Sequence, residues 1–206
     1  MCLLTANPSL ALYPLIIEGL IDPTHIIVDA KVSSSGSGRG SQSEAQMHFN
    51  RSNGVRTHKL LRQHRHSHEI EAFMKKQTGV STTVLLNTFS VDLVRGMLCA
   101  AYIRFCESVD AKRLYGLYRK YYGSQPFIRL IKQQTGYERY PNPKLLFNTN
   151  FCDIGFYTDD NSHTGVVLSA LDNLIKGGAG QAVQCFNLIN GLNTDTGLPK
   201  MSFFPG

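Results

Sequence analysis

Residues 80–105 read VSTTVLLNTFSVDLVRGMLCAAYIRF, and how they are read decides the fold class. Apolar and β-branched residues fill both sides of a short polar break at Asp92–Gly96, which predicts two strands joined by a turn. Two strands so closely spaced leave no room for a crossover helix, so simple βαβ repetition is excluded here. Strands and helices alternate on either side of this stretch. The pattern therefore predicts an α+β fold, with a mixed or antiparallel sheet covered by helices on one face.

Working outward, THIIVDA (24–30) reads as a short buried strand. Before it, NPSLALYPLIIEGL (7–20) predicts a helix over about 8–18, with Asn7 as N-cap, Pro8 at the first position, a kink at Pro14 and Gly19 as terminator. Ser67 is a candidate cap for a helix through HEIEAFMKKQ to Gly79, with Ile70, Phe73 and Met74 on its apolar face. Asp110 caps AKRLYGLYRKYYG, whose Leu and Tyr residues recur at helical spacing; its basic and aromatic mixture reads as a core stripe with a solvated face rather than an RNA-binding surface. PFIRLIK (126–132), KLLFNTNFCDIGFYT (144–158) and HTGVVLSALDN (163–173) supply further strands, and KGGAGQAVQCFNLINGL (176–192) a final helix that opens on glycines.

The chain has 206 residues, 42% of them hydrophobic, and a formal charge of +6, enough for a sizeable core and attractive to acidic or phosphorylated partners. Its five cysteines are scattered, which fits neither a disulfide framework nor a zinc knuckle and points to a reducing, cytoplasmic setting. There is no apolar run of bilayer length, no secretory leader and no nucleic-acid reading motif, so neither a membrane nor a nucleic-acid partner is expected.

Four features carry chemistry. In LRQHRHSHEIE (61–71), His64 and His68 have i, i+4 spacing, but a helix start at Ser67 would fall between them and H-E-x-x-H is lacking, so no metal is expected. A proton-transfer site and a solvated basic loop both remain open on these residues. The tract SSSGSGRGSQS (33–43) is either a linker or an anion-binding loop built on glycines, hydroxyls and Arg39. Cys2 is either a nucleophile or a frayed terminus, while Cys99, Cys106 and Cys185 read as small core residues and Cys152 as structural. Gly177, Gly178 and Gly180 do not form G-x-G-x-x-G, and neither that fingerprint nor a P-loop occurs in the chain.

The segments IIVDAKVSSSGSGR, HRHSHEIE, VDLVRGMLCAAYIRF, YGSQPFIR, NTNFCDIGF and SALDNLIKGGAGQAVQCFNLINGL, in this order, resemble the second half of the N-acetyl-gamma-glutamyl-phosphate reductase family. IDPTHIIVDAKVSS and FSVDLVRG are most similar to its lysine-branch members, which act on aminoadipyl or glutamyl phosphate held on a small acidic carrier protein. The resemblance implies a glyceraldehyde-3-phosphate-dehydrogenase-like C-terminal catalytic domain over 1–206, without the family's N-terminal Rossmann domain, and with the last helix (about 178–192) packing on that cofactor domain. It implies NADPH-dependent reduction of the acyl phosphate to a semialdehyde, phosphate release, and a homo-oligomer, either a dimer or a tetramer. Cys2 would be the nucleophile and His64 the proton-transfer residue, with His66 in reserve. Ser35, Gly36, Arg39 and Arg65 would bind the substrate phosphate, and Asn173 and Gly177 would meet the NADP. Two positions depart from the family pattern: Met1 and Asn148 stand where glycines are expected. A chain starting so near the cysteine is expected to have little reductase activity alone. The alternatives are an arginine-branch reductase, or a non-catalytic module that binds an acidic carrier or full-length subunits, for which Arg56, Lys59, Arg62 and Arg65 supply positive charge.

Overall fold

The computed structural model describes residues 3–37, 47–132, 135–136, 139–159 and 163–201. Seven strands form one mixed sheet: β1 (Ile26–Val32), β2 (Val55–Lys59), β3 (Val84–Val91), β4 (Met97–Arg104), β5 (Ile128–Leu130), β6 (Cys152–Asp159) and β7 (Thr164–Leu171). Their order across the sheet is β2-β3-β1-β4-β7-β6-β5. The β1–β3 and β5–β6 pairs are parallel and the others antiparallel.

The stretch 80–105 does form two strands, but β3 and β4 do not pair with each other, because β1 lies between them. Their connection passes over the end of β1. There the backbone N–H groups of Ser34 and Ser35 donate to the carbonyls of Leu93 and Val94 at 2.9 and 3.1 Å. The serine tract that follows β1 is thereby drawn into a short 3-10 turn, Ser34–Ser37, against the β3–β4 loop. Within the described residues, that part of the tract is built structure rather than linker.

Helices α1 (Leu3–Ile17), α2 (Arg65–Thr78) and α3 (Ala111–Tyr122) share one core with the inward residues of the sheet. Alternation along the strands sets the two faces apart: Ile26, Val28 and Ala30 are fully buried, while Ile27, Asp29 and Lys31 are not. On the opposite face the described residues form a small cluster, from Phe127, Leu146, Phe151 and Ala170 with Leu98 and Leu198. Much of that face is otherwise open, and Tyr102 and Tyr157 are exposed on it.

Helix α1 starts earlier than the proline pattern predicts. Asn7 is not its cap but is fully buried, with its side-chain Nδ2 donating to the Ser169 carbonyl at 3.3 Å. Pro8 and Pro14 both lie inside the helix. A proline removes the donor to the carbonyl four residues back, and for Pro14 that carbonyl belongs to Leu10. The Tyr122 hydroxyl of α3 donates to it at 2.7 Å, so a neighbouring helix satisfies the group the proline leaves open. Gly19, in the left-handed region at φ 64°, ends the turn as expected.

Several other boundaries move. Helix α2 begins at Arg65 with His64 as its N-cap, not Ser67, whose hydroxyl instead donates to the Leu61 carbonyl. KLLF forms a 3-10 turn, Pro143–Leu146, ahead of β6. The final helix α4 (Gly180–Ile189) follows a π-turn, Ile175–Ala179. At Gly180 a Cβ would lie 2.3 Å from Asn150 Oδ1 and 2.9 Å from Ile175 Cγ2, so glycine leaves room for the Asn150 side-chain amide at the start of α4. Cys99 and Cys152 are buried, and burial raises both thiols to about 12. Cys106 and Cys185 are exposed, contrary to their reading as core residues, because one follows the end of β4 and the other lies on the outward side of α4.

Candidate functional site: a basic cavity where two helices begin

A cavity of about 430 Å³ opens where the C-terminal end of β1, the ends of β2 and β3 and the starts of α1 and α2 meet. Leu4 of α1, Gly36 and Ser37 of the serine turn, Thr88 and Ser90 of β3, and the side chains of Arg51, His58, Lys59, His64, Arg65 and His66 line it. Six of these groups are cationic or imidazole, and among the described residues no carboxylate lines the cavity. Two helix N-termini, each with its positive dipole end, add to the same field.

Local sequence explains how the imidazoles reach it. The β2–β3 register shifts between Thr57 and Lys59, which leaves His58 as the extra residue of a bulge, re-aimed into the cavity. Thr88 Oγ1 pins the bulge, accepting from Lys59 N at 3.1 Å. His64 caps α2, its Nδ1 accepting from the His66 backbone N–H at 3.3 Å, which places the ring proton on Nε2. The His64 and His66 rings stack at 4.6 Å. Desolvation above all, then His66, Lys59, His58 and Arg65, lowers the His64 pKa to about 4, so His64 is neutral at neutral pH.

His66 is held differently. Its Nδ1 contacts Glu69 Oε2 at 2.6 Å, and Thr5 Oγ1 of α1 donates to the same oxygen at 2.8 Å. Desolvation works against it, but the hydrogen bonds from Thr5 and His66 hold the Glu69 carboxyl below the usual carboxylate range. An ionised Glu69 fixes the His66 proton on Nδ1, leaving Nε2 as the basic nitrogen. Thr5 also joins the first turn of α1 to the second turn of α2. Cys2 lies outside the described residues, as does Arg39; the helix opens at Leu3, and Leu4 already lines the cavity.

The third histidine of the motif leaves the site. His68 is exposed and faces Arg62 and Glu71, the latter two forming a two-pronged ion pair at 2.8 and 3.0 Å. Among the expected residues, Gly36, His64, Arg65 and His66 come together, while Ser35 and Asn173 sit behind the cavity wall. Asn173, 5% exposed, accepts from Gly96 N at 2.7 Å and donates to Ser35 Oγ at 2.9 Å. It also accepts from Ser33 Oγ at 3.3 Å. Asn173 thus ties the end of β7, the serine turn and the β3–β4 loop together. Gly177, half-buried in the π-turn, donates its N–H to the Asp172 carbonyl. Arg51 and His58 are cavity residues that the motif reading does not single out; their only sequence signal is positive charge shortly before HRH.

Comparison with known proteins agrees with this fold. The semialdehyde dehydrogenase dimerisation domain matches residues 2–173. A putative LysW-L-2-aminoadipate/LysW-L-glutamate phosphate reductase of Nitrosopumilus maritimus is 41% identical over 195 residues, which is 95% of this chain and 55% of that protein. An N-acetyl-gamma-glutamyl-phosphate reductase of Staphylococcus aureus is 34% identical over 204 residues, covering 99% of this chain and 57% of its own length. The chain therefore spans about half the length of the curated relatives it matches. In fold it is similar to the aspartate semialdehyde dehydrogenase of Francisella tularensis, with a TM-score of 0.72 at 13% identity, over 92% of this chain and 63% of that one. The corresponding enzyme II of Vibrio cholerae gives 0.69 at 16%, over 92% and 61%. With its seven-stranded mixed sheet, its helices on one face and a family match over most of its length, this chain belongs to the semialdehyde dehydrogenase dimerisation-domain family.

Proposed function

We propose that the cavity is the acyl-transfer site of an NADPH-dependent acyl-phosphate reductase acting on a carrier-linked aminoadipyl or glutamyl phosphate. The observation that carries this reading is the cavity lining itself: hydroxyls and six basic groups with no acid among the described residues, at the starts of two helices. That environment suits a phosphorylated carboxyl group and stabilises a thiolate. The carrier-linked substrate is favoured because the relatives named for it reach 41% identity, against 34% for the N-acetylglutamyl enzymes.

In this reading Cys2, ahead of the first turn of α1, is the nucleophile. Its sulfur bonds to the acyl carbon as the carbon–oxygen bond to phosphate breaks, and phosphate departs with the electron pair, leaving a thioester. His66, held by Glu69, moves the proton at Nε2, and neutral His64 offers its Nε2–H as a donor. A nicotinamide cofactor, when bound, supplies the hydride that takes the thioester to the aldehyde level. For that cofactor the described residues offer a rim rather than a cradle: Asn173 holds Ser33, Ser35 and Gly96 in place, and Gly177 presents backbone. The exposed Phe186, Leu188 and Ile189 of α4 form an apolar face suited to a dinucleotide-binding domain. The open sheet face, with Ile27, Leu85, Leu98, Tyr102, Val166 and Leu168, is assigned to a second copy of the chain, in keeping with the family's dimerisation role. No helix of the described residues is long and apolar enough to cross a membrane, and a cytoplasmic setting follows from the substrate.

The test is the first half-reaction, which needs no nucleotide. The chain is mixed with the carrier-linked acyl phosphate and quenched, then read by intact mass and phosphate release. The expected result is an acyl adduct on Cys2, absent in Cys2→Ala and formed about a hundredfold more slowly in His66→Asn. Phosphate release without a cysteine adduct would overturn the proposal.

A further inference from the structure

Among the cavity's cations, Arg51 is set apart by burial. It is 5% exposed, whereas the Arg65 side chain is 80% exposed and leans on Glu69 at 3.8 Å. Arg51 Nη2 donates to Ser37 Oγ at 3.1 Å and Nη1 to the Val32 carbonyl at 3.4 Å; Nε has no partner. No carboxylate pairs with it among the described residues. Burial, and secondarily Arg56, lowers its pKa, as expected for a charge lacking a counter-ion. A guanidinium taken out of water without an anion is costly, and its planar fork matches the oxygens of a phosphoryl group. The buried carboxylates Asp172 and Asp153 are answered by Arg95 and Arg129, and the buried Lys176 ammonium is held by Gln184 Oε1 and lies over the Phe127 ring. Among the described residues, Arg51 is the buried arginine that faces a cavity instead of an acid.

We propose that Arg51 is the phosphoryl-binding residue of this site, gripping the phosphoryl group of the acyl phosphate together with Ser37 and Lys59. This rests on the acyl-phosphate reading above and adds Arg51 to Ser35, Gly36, Arg39 and Arg65, the residues to which the family resemblance gives the phosphate. A dianion is favoured over a carboxylate because Arg51, Lys59 and Arg65 line the cavity with no acid among the described lining residues. Arg65, largely in solvent, then contributes to attraction at the rim.

The experiment titrates inorganic phosphate into the chain at fixed ionic strength and follows thermal unfolding and the phosphorus-31 line width. Wild type, Arg51→Met, Arg51→Lys and Arg65→Gln are compared, with glutarate as the carboxylate probe. Wild type is expected to show saturable stabilisation by phosphate, at least about tenfold weaker in Arg51→Met, partly retained in Arg51→Lys and changed less than about threefold in Arg65→Gln. Arg51→Lys keeps the charge and loses the fork, so it informs even if Arg51→Met fails to fold. No saturable phosphate effect in wild type would overturn the proposal. So would a response in the Arg51 variants equal to that of wild type, or tighter binding of glutarate than of phosphate. Phosphate binding requires neither Cys2 nor a nicotinamide cofactor. If Arg51-dependent binding persists while Cys2 acylation fails, it is the reductase reading that falls.

Discussion

Two neighbouring regions of this molecule treat buried charge in opposite ways. Around Asp172, fully buried at the end of β7, every charge is answered. Arg95 Nε lies 2.8 Å from one carboxylate oxygen, which also accepts from Asn148 N at 2.7 Å, and the other oxygen accepts from the N–H groups of Leu174 and Ile175. In the cavity, buried Arg51 has no carboxylate partner among the described residues, His58 and Lys59 stand on its exposed side, and Glu69 is taken up by His66, Thr5 and Arg65. A balanced cluster holds a fold together, whereas an unbalanced one is held by the fold for something that arrives from outside. The two are joined through consecutive residues. Asp172 anchors the balanced hub, and Asn173 carries the serine turn that walls the unbalanced cavity.

The strongest way to break this comparison is Asp172→Ala. It leaves the Arg95 guanidinium without its counter-ion and three backbone donors without an acceptor, and should cost about 3–5 kcal/mol of stability, read from urea unfolding. It should also loosen the serine turn, because Asn173 follows directly in the chain. A loss under about 1 kcal/mol would mean that the hub is not the structural half of the pair.

Glu69→Gln acts on the cavity side and should change rate more than stability. An amide can donate to His66 Nδ1, which would move the ring proton to Nε2 and remove the basic nitrogen from the site. Cys2 acylation should slow by about tenfold to a hundredfold, with its pH profile displaced and substrate affinity little changed. An unchanged pH profile would assign Glu69 to packing alone. His64 sharpens the contrast through stability. Its folded pKa of about 4 lies below the ordinary 6.5, so the unfolded chain binds more protons between those values. Stability is therefore complete above pH 6.5 and declines as the pH falls from there toward 4. His64→Gln should flatten that part of the wild-type profile, measured as urea midpoints at about pH 7.5 and about pH 5. An equal acid slope in the variant would show that the charge crowding at His64 is not felt.

Much of the fold was legible because it rests on local patterns. Strand alternation found β1, β3, β4, β6 and β7, and Asp110 and Gly79 mark helix ends that the structure keeps. Two features were not legible for the same reason: each depends on a partner far away in sequence. Pro8 reads as a helix start because a proline inside a helix is costly, yet α1 runs through two prolines, with Tyr122 serving the carbonyl that Pro14 leaves open. The insertion of β1 between β3 and β4 is likewise a matter of crossover, which periodicity does not encode. In the site, HRH drew attention through its density of histidines. Arg51 and His58 did not, because a bulge and a burial carry their meaning, and neither is a motif.

The smallest expected effect concerns Asn148, where the family pattern has glycine. Its φ of 63° is in the left-handed region, which glycine enters freely and asparagine more readily than other side chains. The residue thus keeps the backbone a glycine would adopt, and that backbone delivers its N–H to Asp172. Its side chain adds one contact, Oδ1 accepting from Arg95 Nη1 at 2.7 Å on the exposed rim of the hub. Asn148→Gly exchanges that contact for relief of mild strain, and stability should move by less than about 1 kcal/mol in either direction. Asn148→Val keeps neither the contact nor the tolerated conformation, and should cost at least about 1–2 kcal/mol more than the glycine variant. If both substitutions proved neutral, the hub would not need Asn148's backbone in place. The balance around Asp172 would then rest on Arg95 and the π-turn alone.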